Sequence, residues 1–257
     1  MAVKHIEVLF TPAEFAALKQ RDLAETDCVV MDVLRATSSM ATALANGATA
    51  IVPVEEIAEA LAWRRQNAGI LLAGERDGLR IEAEVSGAIG FDLGNSPREF
   101  TRDAVEGKTI VITTTNGTCA LRACAHARSI VIGAFVNLSA TSEYVRALQG
   151  EDLLLVCGGT YHEAAYEDVL CAGALVDALS PEEGGALADS AYLARRLYRL
   201  EGGDLLAALS QSRNGRRLLT RPDLRDDVTF CAQRDRSGVV ARLEKDGRIR
   251  RVSAVGP

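Results

Sequence analysis

Apolar runs rich in Val, Ile and Leu alternate with segments of good helix formers along most of this chain. A short continuous apolar run predicts a buried strand, whereas a longer Ala- and Leu-rich segment without turn residues predicts a helix. Strands are predicted from Cys28 onwards and at 5–10, 49–54, 70–73, 108–112, 129–135 and 152–157. Helices are predicted at 11–23, 38–46, 55–66, 139–148, 169–179, 186–200 and 204–209, after the polar turn at 113–118 as far as 126, and as a short turn at 216–219.

The end of the chain has a different pattern, with strands predicted at 228–233 and 239–252 and a tight hairpin at Asp246-Gly247. Alternation of strands and helices before that point is typical of a largely parallel sheet covered by helices. We therefore predict one three-layer α/β/α domain over residues 1–257 with a mixed, largely parallel sheet. Residues 228–253 are a candidate C-terminal β subregion within it.

Two segments share the same order of elements. Residues 28–54 and 109–135 each contain a strand, a polar turn, a helix of small residues and a second strand, and Thr37 and Thr118 occupy equivalent places 81 residues apart. An internal duplication of a βαβ unit is therefore a hypothesis.

The most informative stretch lies where the strand that begins at Cys28 gives way to a helix. Asp32, Arg35, Thr37 and Ser38 occupy this junction. Free backbone N–H groups and the helix dipole favour an anion there, and Arg35 adds a fork of donors suited to phosphate. Asp32 could hold a metal ion. Capping of the helix by Thr37 or Ser38, beside an Arg35 on the surface, explains the same residues equally well.

Polar residues also follow other predicted strands. Because the carboxyl ends of parallel strands share one edge of a sheet, where ligands bind, we expect these residues to meet. They are Asp32, Glu75, Thr114 to Asn116, Asn137 and Gly158 to Thr160. A long Gly-rich segment at 74–97 is of a kind that is usually functional when ordered, and it ends at Asn95 and Ser96, the expected cap of a helix that starts at Pro97.

Composition narrows the class of protein. The 257 residues are 48% hydrophobic and 25% charged, which is enough for a full core. A net charge of −6 argues against nucleic acid as a partner, and the basic segment at 213–225 is interpreted as a solvated face. No apolar run is long enough to span a bilayer and no signal peptide is recognisable, so we expect a cytoplasmic protein without membrane contact. Six cysteines without a Cys-x-x-Cys pair are expected to be core residues.

The sequence motifs of several kinds of hydrolase are absent. Arg35 follows Cys28 by seven residues where a cysteine phosphatase needs six, and Leu34 stands where an aspartyl-phosphate enzyme needs a second acid. No Gly-x-Ser-x-Gly elbow is present. What remains is an acid-rich, Gly-rich site suited to Mg²⁺. The candidate ligands or bases are Asp32, Glu75, Glu163, Glu167 and Asp168, although Glu163 and Glu167 could equally form a solvated first turn of a helix.

Five motifs together resemble the 2-phosphosulfolactate phosphatases. They are Asp32-Val-Leu-Arg-Ala-Thr-Ser-Ser, Gly74-Glu-Arg, Gly90-Phe-Asp-Leu-Gly-Asn-Ser-Pro, Thr113-Thr-Thr-Asn-Gly-Thr, and the region from Gly158-Gly-Thr to Glu167-Asp-Val-Leu-Cys-Ala-Gly, with a weaker match at 227–233. The resemblance implies a Mg²⁺-dependent phosphomonoesterase that converts 2-phospho-3-sulfolactate to 3-sulfolactate and phosphate, a step towards coenzyme M in organisms that make it. The stretch after Leu200 matches little.

The site that we predict on this basis has three parts. Asp32, Glu75 and Asp168 are expected to hold Mg²⁺ and, with Arg35, to form the catalytic set. Arg76 is expected to bind the acid end of the substrate. The other predicted substrate-binding residues are Thr37, Ser38, Asn95, Thr115, Asn116, Gly117, Asn137, Gly159 and Thr160.

Two other functions fit parts of this pattern. A phosphometabolite sensor could use the same anion site without turnover, and a nucleotide-binding protein would need a phosphate-loop fingerprint that is missing here. The expected partner is a small acidic phosphoester, and a homodimer is a candidate oligomeric state.

Overall fold

The computed structural model describes residues 5–18, 20–179 and 187–252. The strands in these ranges are β1 (His5–Leu9), β2 (Thr26–Met31), β3 (Ala50–Pro53), β4 (Leu71–Arg76), β5 (Leu79–Arg80), β6 (Thr109–Thr113), β7 (Ser129–Gly133), β8 (Asp152–Cys157), β9 (Val240–Leu243) and β10 (Ile249–Val252). The α-helices are α1 (Phe15–Leu18), α2 (Ala36–Ala45), α3 (Ile57–Gln66), α4 (Ala83–Ser86), α5 (Arg102–Val105), α6 (Gly117–Ala123), α7 (Leu138–Ala147), α8 (Tyr166–Leu179), α9 (Asp189–Glu201), α10 (Leu205–Gln211), α11 (Arg213–Leu219) and α12 (Arg225–Cys231). Three short 3₁₀ turns lie at Pro12–Glu14, Pro97–Glu99 and Phe135–Asn137.

All ten described strands form one mixed sheet in the order β1-β8-β2-β7-β9-β10-β3-β6-β4-β5. Two parallel groups, β1-β8-β2-β7 and β3-β6-β4, are joined by the antiparallel pairs of the β9–β10 hairpin. Helices pack on both faces of the sheet. The predicted α/β architecture with a largely parallel sheet is therefore confirmed.

The order of the strands has an internal symmetry. β2 and β7 pair in one group while β3 and β6 pair in the other, so that each predicted βαβ unit has one strand in each group. Exchanging β2 and β3 for β6 and β7 gives the same order of these four strands when the sheet is read from its other end. A duplicated βαβ unit whose second strands have changed places would produce this arrangement.

Alternating residues of the strands face different cores. In β2, Cys28 and Val30 join a cluster that contains residues of α2 and α6 and of both strand groups, whereas Val29 and Met31 join a cluster beneath α7, α8 and α9. β2 is buried on both faces, which explains its continuous apolar run. A third cluster lies between α3 and the outer face of β3, β4 and β6.

Two predicted elements are wrong. Residues 228–233, predicted as a strand, belong mainly to α12, where Val228 and Cys231 are buried at helical spacing and acidic residues occupy the first turn. The helix predicted at 11–23 is reduced to the turn at Pro12–Glu14 and the four residues of α1. The hairpin at Asp246-Gly247 is confirmed, and it lies in the middle of the sheet. Residues 186 and 253, where a predicted helix starts and the β subregion ends, lie outside the described ranges.

No helix in the described ranges combines the length and the apolar character that a membrane span requires.

Candidate active site

One cleft gathers polar side chains from both strand groups. The chain segments after β2, β4, β6 and β8 line it together with α11. The lining residues are Asp32, Leu34, Arg35, Glu75, Asp77, Gly78, Asn95, Thr115, Asn116, Thr160, Tyr161, Asn214, Arg217 and Leu218. Seven predicted site residues are among them: Asp32, Arg35, Glu75, Asn95, Thr115, Asn116 and Thr160.

The strand ends meet in a way that a purely parallel sheet does not allow. Three successive antiparallel pairs separate β7 from β3, so the two parallel groups run in opposite directions. Their carboxyl ends therefore do not share one edge of the sheet, yet residues that follow β2 and β6 still meet, at the first turns of α2 and α6. A Cβ placed on Gly117, the first residue of α6, would lie 2.8 Å from the Ala36 Cβ and 2.9 Å from Asp32 Oδ2.

Asp32 lies at this contact between the two helices. It also accepts hydrogen bonds from backbone N–H groups at the start of α2. Its Oδ1 accepts a hydrogen bond from the Ala36 N–H at 3.2 Å, and its backbone carbonyl accepts one from the Thr37 N–H at 2.9 Å. The Thr37 hydroxyl in turn accepts from the Asp32 N–H at 3.0 Å. The first turn of α2 is thus occupied by Asp32, which corrects the prediction that Thr37 lines a free anion site.

The environment of Asp32 disfavours its negative charge. Burial raises the pKa of Asp32 to about 7, and the nearby carboxylates of Glu75 and Glu167 act in the same direction against the lowering effects of the Ala36 N–H and Arg35. Asp32 is therefore partly protonated at neutral pH when no cation is bound. A cation beside it would restore the carboxylate.

Glu75 is held by donors from two turns. Its Oε1 accepts hydrogen bonds from both the backbone N–H and the hydroxyl of Thr115 at 2.9 Å, and its Oε2 accepts from the Gly78 N–H at 2.7 Å. Glu75 is only 7% exposed, and it faces the cleft together with Asp32. Thr115 therefore orients Glu75.

Asp168 and Glu167 lie behind the cleft at the start of α8. Asp168 accepts hydrogen bonds from the backbone N–H groups of Val33 at 2.8 Å and Gly159 at 3.0 Å. Burial, followed by the charges of Glu167 and Asp32, raises the pKa of Asp168 well above its usual range. Asp168 does not line the cleft, and its two hydrogen bonds hold the turns after β2 and β8 in place; its role as a metal ligand stays a prediction.

Glu167 keeps one oxygen unsatisfied. Its Oε1 accepts a hydrogen bond from Asn214 Nδ2 at 2.7 Å, whereas its Oε2 is buried and has no hydrogen-bond partner in the described part of the chain. Burial raises the pKa of Glu167. Glu163, by contrast, is exposed and pairs with Arg213 at 2.6 Å, so it belongs to the surface.

Two arginines face the cleft, and they differ in depth. Arg35 is 4% exposed and donates to Asp227 Oδ2 at 2.8 Å and to the Gly78 carbonyl at 2.7 Å. Its burial rules out the alternative of a surface Arg35. Arg217 is exposed, and neither an ion pair nor a side-chain hydrogen bond engages it within the described ranges. Most arginines of 213–225 are exposed, as expected for a solvated face, but Asn214 is buried, and both Asn214 and Arg217 line the cleft.

Three predicted binding residues are used elsewhere. Ser38 donates to the Val33 carbonyl at 2.8 Å and is fully buried. Asn137 is fully buried, and its amide donates to the carbonyls of Ile132 and Val239. Arg76 lies outside the cleft, where its guanidinium donates to the Glu75 and Glu55 carbonyls and the Thr113 hydroxyl at 2.7, 3.1 and 3.0 Å.

Two further expectations concern the edge of the site. Ser96 occupies the predicted N-cap position of the turn at Pro97–Glu99, but its hydroxyl does not cap the turn, because it donates to Asp227 Oδ1 at 2.6 Å. Gly159 has a φ of +68° and donates to Asp168, so it shapes the turn after β8 without lining the cleft. Neither residue lines the cleft, and each donates a hydrogen bond to a buried aspartate next to it.

The oxygen atoms in the cleft fit a hard cation such as Mg²⁺. Mg²⁺ is usually bound through one or two carboxylates, with water and phosphate oxygens completing the shell. Asp32 and Glu75 supply such a pair, and the buried side-chain oxygen of Asn95 has no hydrogen-bond partner among the described residues. No group of three or more acidic, His or Cys side chains in those residues could hold a metal unaided. A bound substrate would therefore be part of the metal site.

Gly117 offers a test of how closely the two helices must approach. Gly117→Ala is expected to lower kcat/KM by about 10- to 100-fold, because the new methyl group would displace Asp32. Overpacking of this kind also costs about 1–3 kcal/mol of stability. Steady-state kinetics and thermal unfolding of Gly117→Ala should be compared with Gly203→Ala, where a Cβ meets no atom within 4 Å. Wild-type kinetics in Gly117→Ala would contradict the placement of Asp32 in the reaction.

An acid-lined cleft with two arginines, set in an α/β fold, is suited to a phosphate ester. Comparisons with known proteins agree with this class. A family model described as 2-phosphosulpholactate phosphatase matches residues 12–246. The chain therefore belongs to the 2-phosphosulfolactate phosphatase family, which confirms the resemblance found in the motifs, and it is an enzyme of the phosphatase class.

Curated relatives cover nearly the whole chain. A probable 2-phosphosulfolactate phosphatase from Caldanaerobacter subterraneus subsp. tengcongensis is 36% identical over 247 residues, which are 94% of this chain and 97% of the relative. Proteins with the same name are 39% identical over 242 residues in Pseudothermotoga lettingae (94% and 96%) and 40% identical over 226 residues in Gloeobacter violaceus (86% and 90%).

Proposed function

We propose that this protein hydrolyses 2-phospho-3-sulfolactate to 3-sulfolactate and phosphate, with Mg²⁺ as its cofactor. The observation that carries the proposal is the cleft itself, where the buried carboxylates of Asp32 and Glu75 lie beside Arg35 and Arg217. The names of the relatives support the choice of substrate. In organisms that make coenzyme M, the product would lie on the route to it.

The role that we propose for each residue follows from its charge and from how deeply it is buried. Mg²⁺ held by Asp32 and Glu75 would supply positive charge to the transferring phosphate. Arg35, fixed by Asp227 and the Gly78 carbonyl, presents its remaining N–H donors to the cleft without having to reorganise. Thr115 and Gly78 hold the Glu75 carboxylate in one orientation, and Ala36 holds that of Asp32. The site is therefore organised before the substrate arrives.

A phosphate-release assay tests this proposal. We expect rapid release from 2-phospho-3-sulfolactate, slower release from 2-phospholactate, which lacks the sulfonate, and the slowest release from glycerol 2-phosphate, which lacks both acid groups. Binding of 2-phospho-3-sulfolactate without any release would favour the phosphometabolite sensor instead.

Removal of divalent cations should abolish activity. The cleft holds two buried carboxylates that a dianionic phosphate cannot approach closely unless a cation offsets their charge. We expect turnover to stop after treatment with a chelator and to return with added Mg²⁺. All buffers are calcium-free, so that Mg²⁺ is the cation that is tested. Full turnover after exhaustive chelation would show that Asp32 and Glu75 do not act through a metal.

A further inference from the structure

We propose that Arg217 binds an acid group of the substrate, its carboxylate or sulfonate, and thereby sets the preference for acidic over neutral phosphomonoesters. This inference rests on the proposed function and deepens it. Among the described residues that line the cleft, Arg217 is the cation whose guanidinium makes neither an ion pair nor a hydrogen bond, and the Glu167 carboxylate is near enough to interact with its charge. Arg217 lies within the residues that the family model matches, in a segment where the sequence alone showed no motif.

The base of Arg217 is firmly anchored. α11 begins at Ser212, whose hydroxyl accepts a hydrogen bond from the Gly215 N–H at 2.9 Å. One turn before Arg217, Asn214 donates to the Thr160 hydroxyl and to Glu167 Oε1, both at 2.7 Å. These bonds fix α11 against the end of β8, so that Arg217 projects from a rigid support.

The guanidinium of Arg217 reaches towards the segment after β4. A Cβ placed on Gly78 would lie 3.4 Å from Arg217 Nη2 and 3.9 Å from Arg35 Nη2. Both arginines therefore approach the same glycine, one from the buried end and one from the exposed end of the cleft. The two guanidinium groups therefore lie on either side of this glycine, each within ordinary van der Waals distance of where a Cβ would stand.

The other arginines considered for this task are already engaged. Arg80 pairs with Glu99 at 2.6 Å, and Arg98 lies 3.6 Å from Asp226 and 3.5 Å from Asp227. Arg76 donates to backbone carbonyls, and Arg213 pairs with Glu163. An anion entering the cleft would have to displace these partners, whereas Arg217 has no hydrogen-bonded or ion-paired partner among the described residues to displace.

The burial of the cleft residues determines which end of the substrate contacts Arg217. The phosphate needs the metal held by Asp32 and Glu75 and the buried donors of Arg35, so it occupies the deep end. The carbon skeleton then points to the mouth, where Arg217 is exposed. A planar guanidinium can hold a carboxylate or sulfonate through two parallel hydrogen bonds, which a neutral hydroxymethyl group cannot match.

The test compares wild type with Arg217→Ala and Arg217→Lys, using the three substrates named above. The control is Arg216→Ala, which makes the same charge change on the same helix outside the cleft. We expect Arg217→Ala to raise KM for 2-phospho-3-sulfolactate by about 10- to 100-fold with little change in kcat, and to leave glycerol 2-phosphate nearly unaffected. Arg217→Lys should recover only part of the loss, and Arg216→Ala should behave as wild type.

The two acid groups can be told apart with 2-phospholactate. A loss that persists with this substrate assigns Arg217 to the carboxylate, and a loss that disappears assigns it to the sulfonate. An equal loss on all three substrates would overturn the proposal, because Arg217 would then serve the phosphate or the fold.

A binding measurement separates this inference from the proposed function. Calorimetric titration with 3-sulfolactate, which has both acid groups and no phosphate, requires no turnover. We expect Arg217→Ala to bind it at least about 10-fold more weakly than wild type. Unchanged affinity would overturn the inference. Absence of phosphate release from 2-phospho-3-sulfolactate in the wild type would overturn the proposed function alone.

Discussion

Asp32→Asn is expected to remove phosphatase activity and, in the absence of a cation, to stabilise the folded protein above neutral pH. Asparagine can still accept the hydrogen bond from the Ala36 N–H, so the first turn of α2 is kept. It cannot supply the negative charge that a cation needs. The loss in kcat/KM should exceed about 100-fold, the upper range for residues that merely orient a metal ligand.

The gain in stability follows from the sign of the pKa shift. Asp32 has a usual pKa of 3.8 and a pKa of about 7 in the folded protein. A group whose pKa is raised on folding contributes stability at low pH that is lost as pH rises through the folded value. The ionised carboxyl at pH 8 therefore costs up to about 4 kcal/mol relative to a neutral side chain.

The measurement is the free energy of unfolding in denaturant with a chelator present, at pH 5, 6.5 and 8. Asp32→Asn should be more stable than wild type at pH 8, and the difference should shrink towards pH 5. Mg²⁺ added together with inorganic phosphate, in place of the chelator, should stabilise the wild type and have little effect on the variant. A variant that is less stable than wild type at pH 8 would contradict the position assigned to Asp32.

Asp227→Asn is expected to destabilise the protein by about 3–5 kcal/mol, because it leaves Arg35 with a buried charge and no counter-ion. Asp227 is fully buried, and its second oxygen accepts the Ser96 hydroxyl at 2.6 Å. It therefore joins α12 to the segments before α2 and before the turn at Pro97–Glu99. Activity should fall as well, since Arg35 loses the partner that orients its guanidinium.

Asp226→Asn is the matched control for this variant. Asp226 is the adjacent residue, is 62% exposed and makes only long surface pairs with Arg98 and Arg225. Its loss should cost less than about 1 kcal/mol. The double variant Arg35→Met and Asp227→Asn should recover part of the lost stability without recovering activity, which separates the structural role of the pair from the chemical role of Arg35. Equal stability of Asp226→Asn and Asp227→Asn would contradict the buried pair.

The sequence predicted best those parts of the site that depend on local order. Asp32 and Thr115 follow strands, and Glu75 lies near the end of one; continuous apolar runs identify these strands, and a strand end is a local feature. Asn137 follows a strand in the same way, yet the chain turns there and buries its amide against the backbone that leads into β9. Position after a strand was therefore informative without being sufficient.

The C-terminal helices could not be placed from the sequence. Asn214, Arg217 and Asp227 reach the site only because α11 and α12 lie against Arg35, Thr160 and Glu167, which are far from them in sequence. An Arg-Asn-Gly-Arg-Arg segment has the composition of a solvated basic surface. The spacing of Asn214 and Arg217, which places both on one helix face, was the available signal. It acquires meaning only when Thr160 and Glu167 are known to lie opposite.

We expect the reaction to take place at the buried acids of this cleft. Two acids that are only two residues apart provide a direct test. Glu75 is buried and held by three hydrogen bonds, whereas Asp77 is exposed at the same cleft. The measurement is kcat/KM for phosphate release from 2-phospho-3-sulfolactate with Mg²⁺, in Glu75→Gln and Asp77→Asn. We expect Glu75→Gln to lose more than about 100-fold and Asp77→Asn to stay within about threefold of wild type. Near-normal activity in Glu75→Gln would show that the reaction does not take place at the buried acids of this cleft.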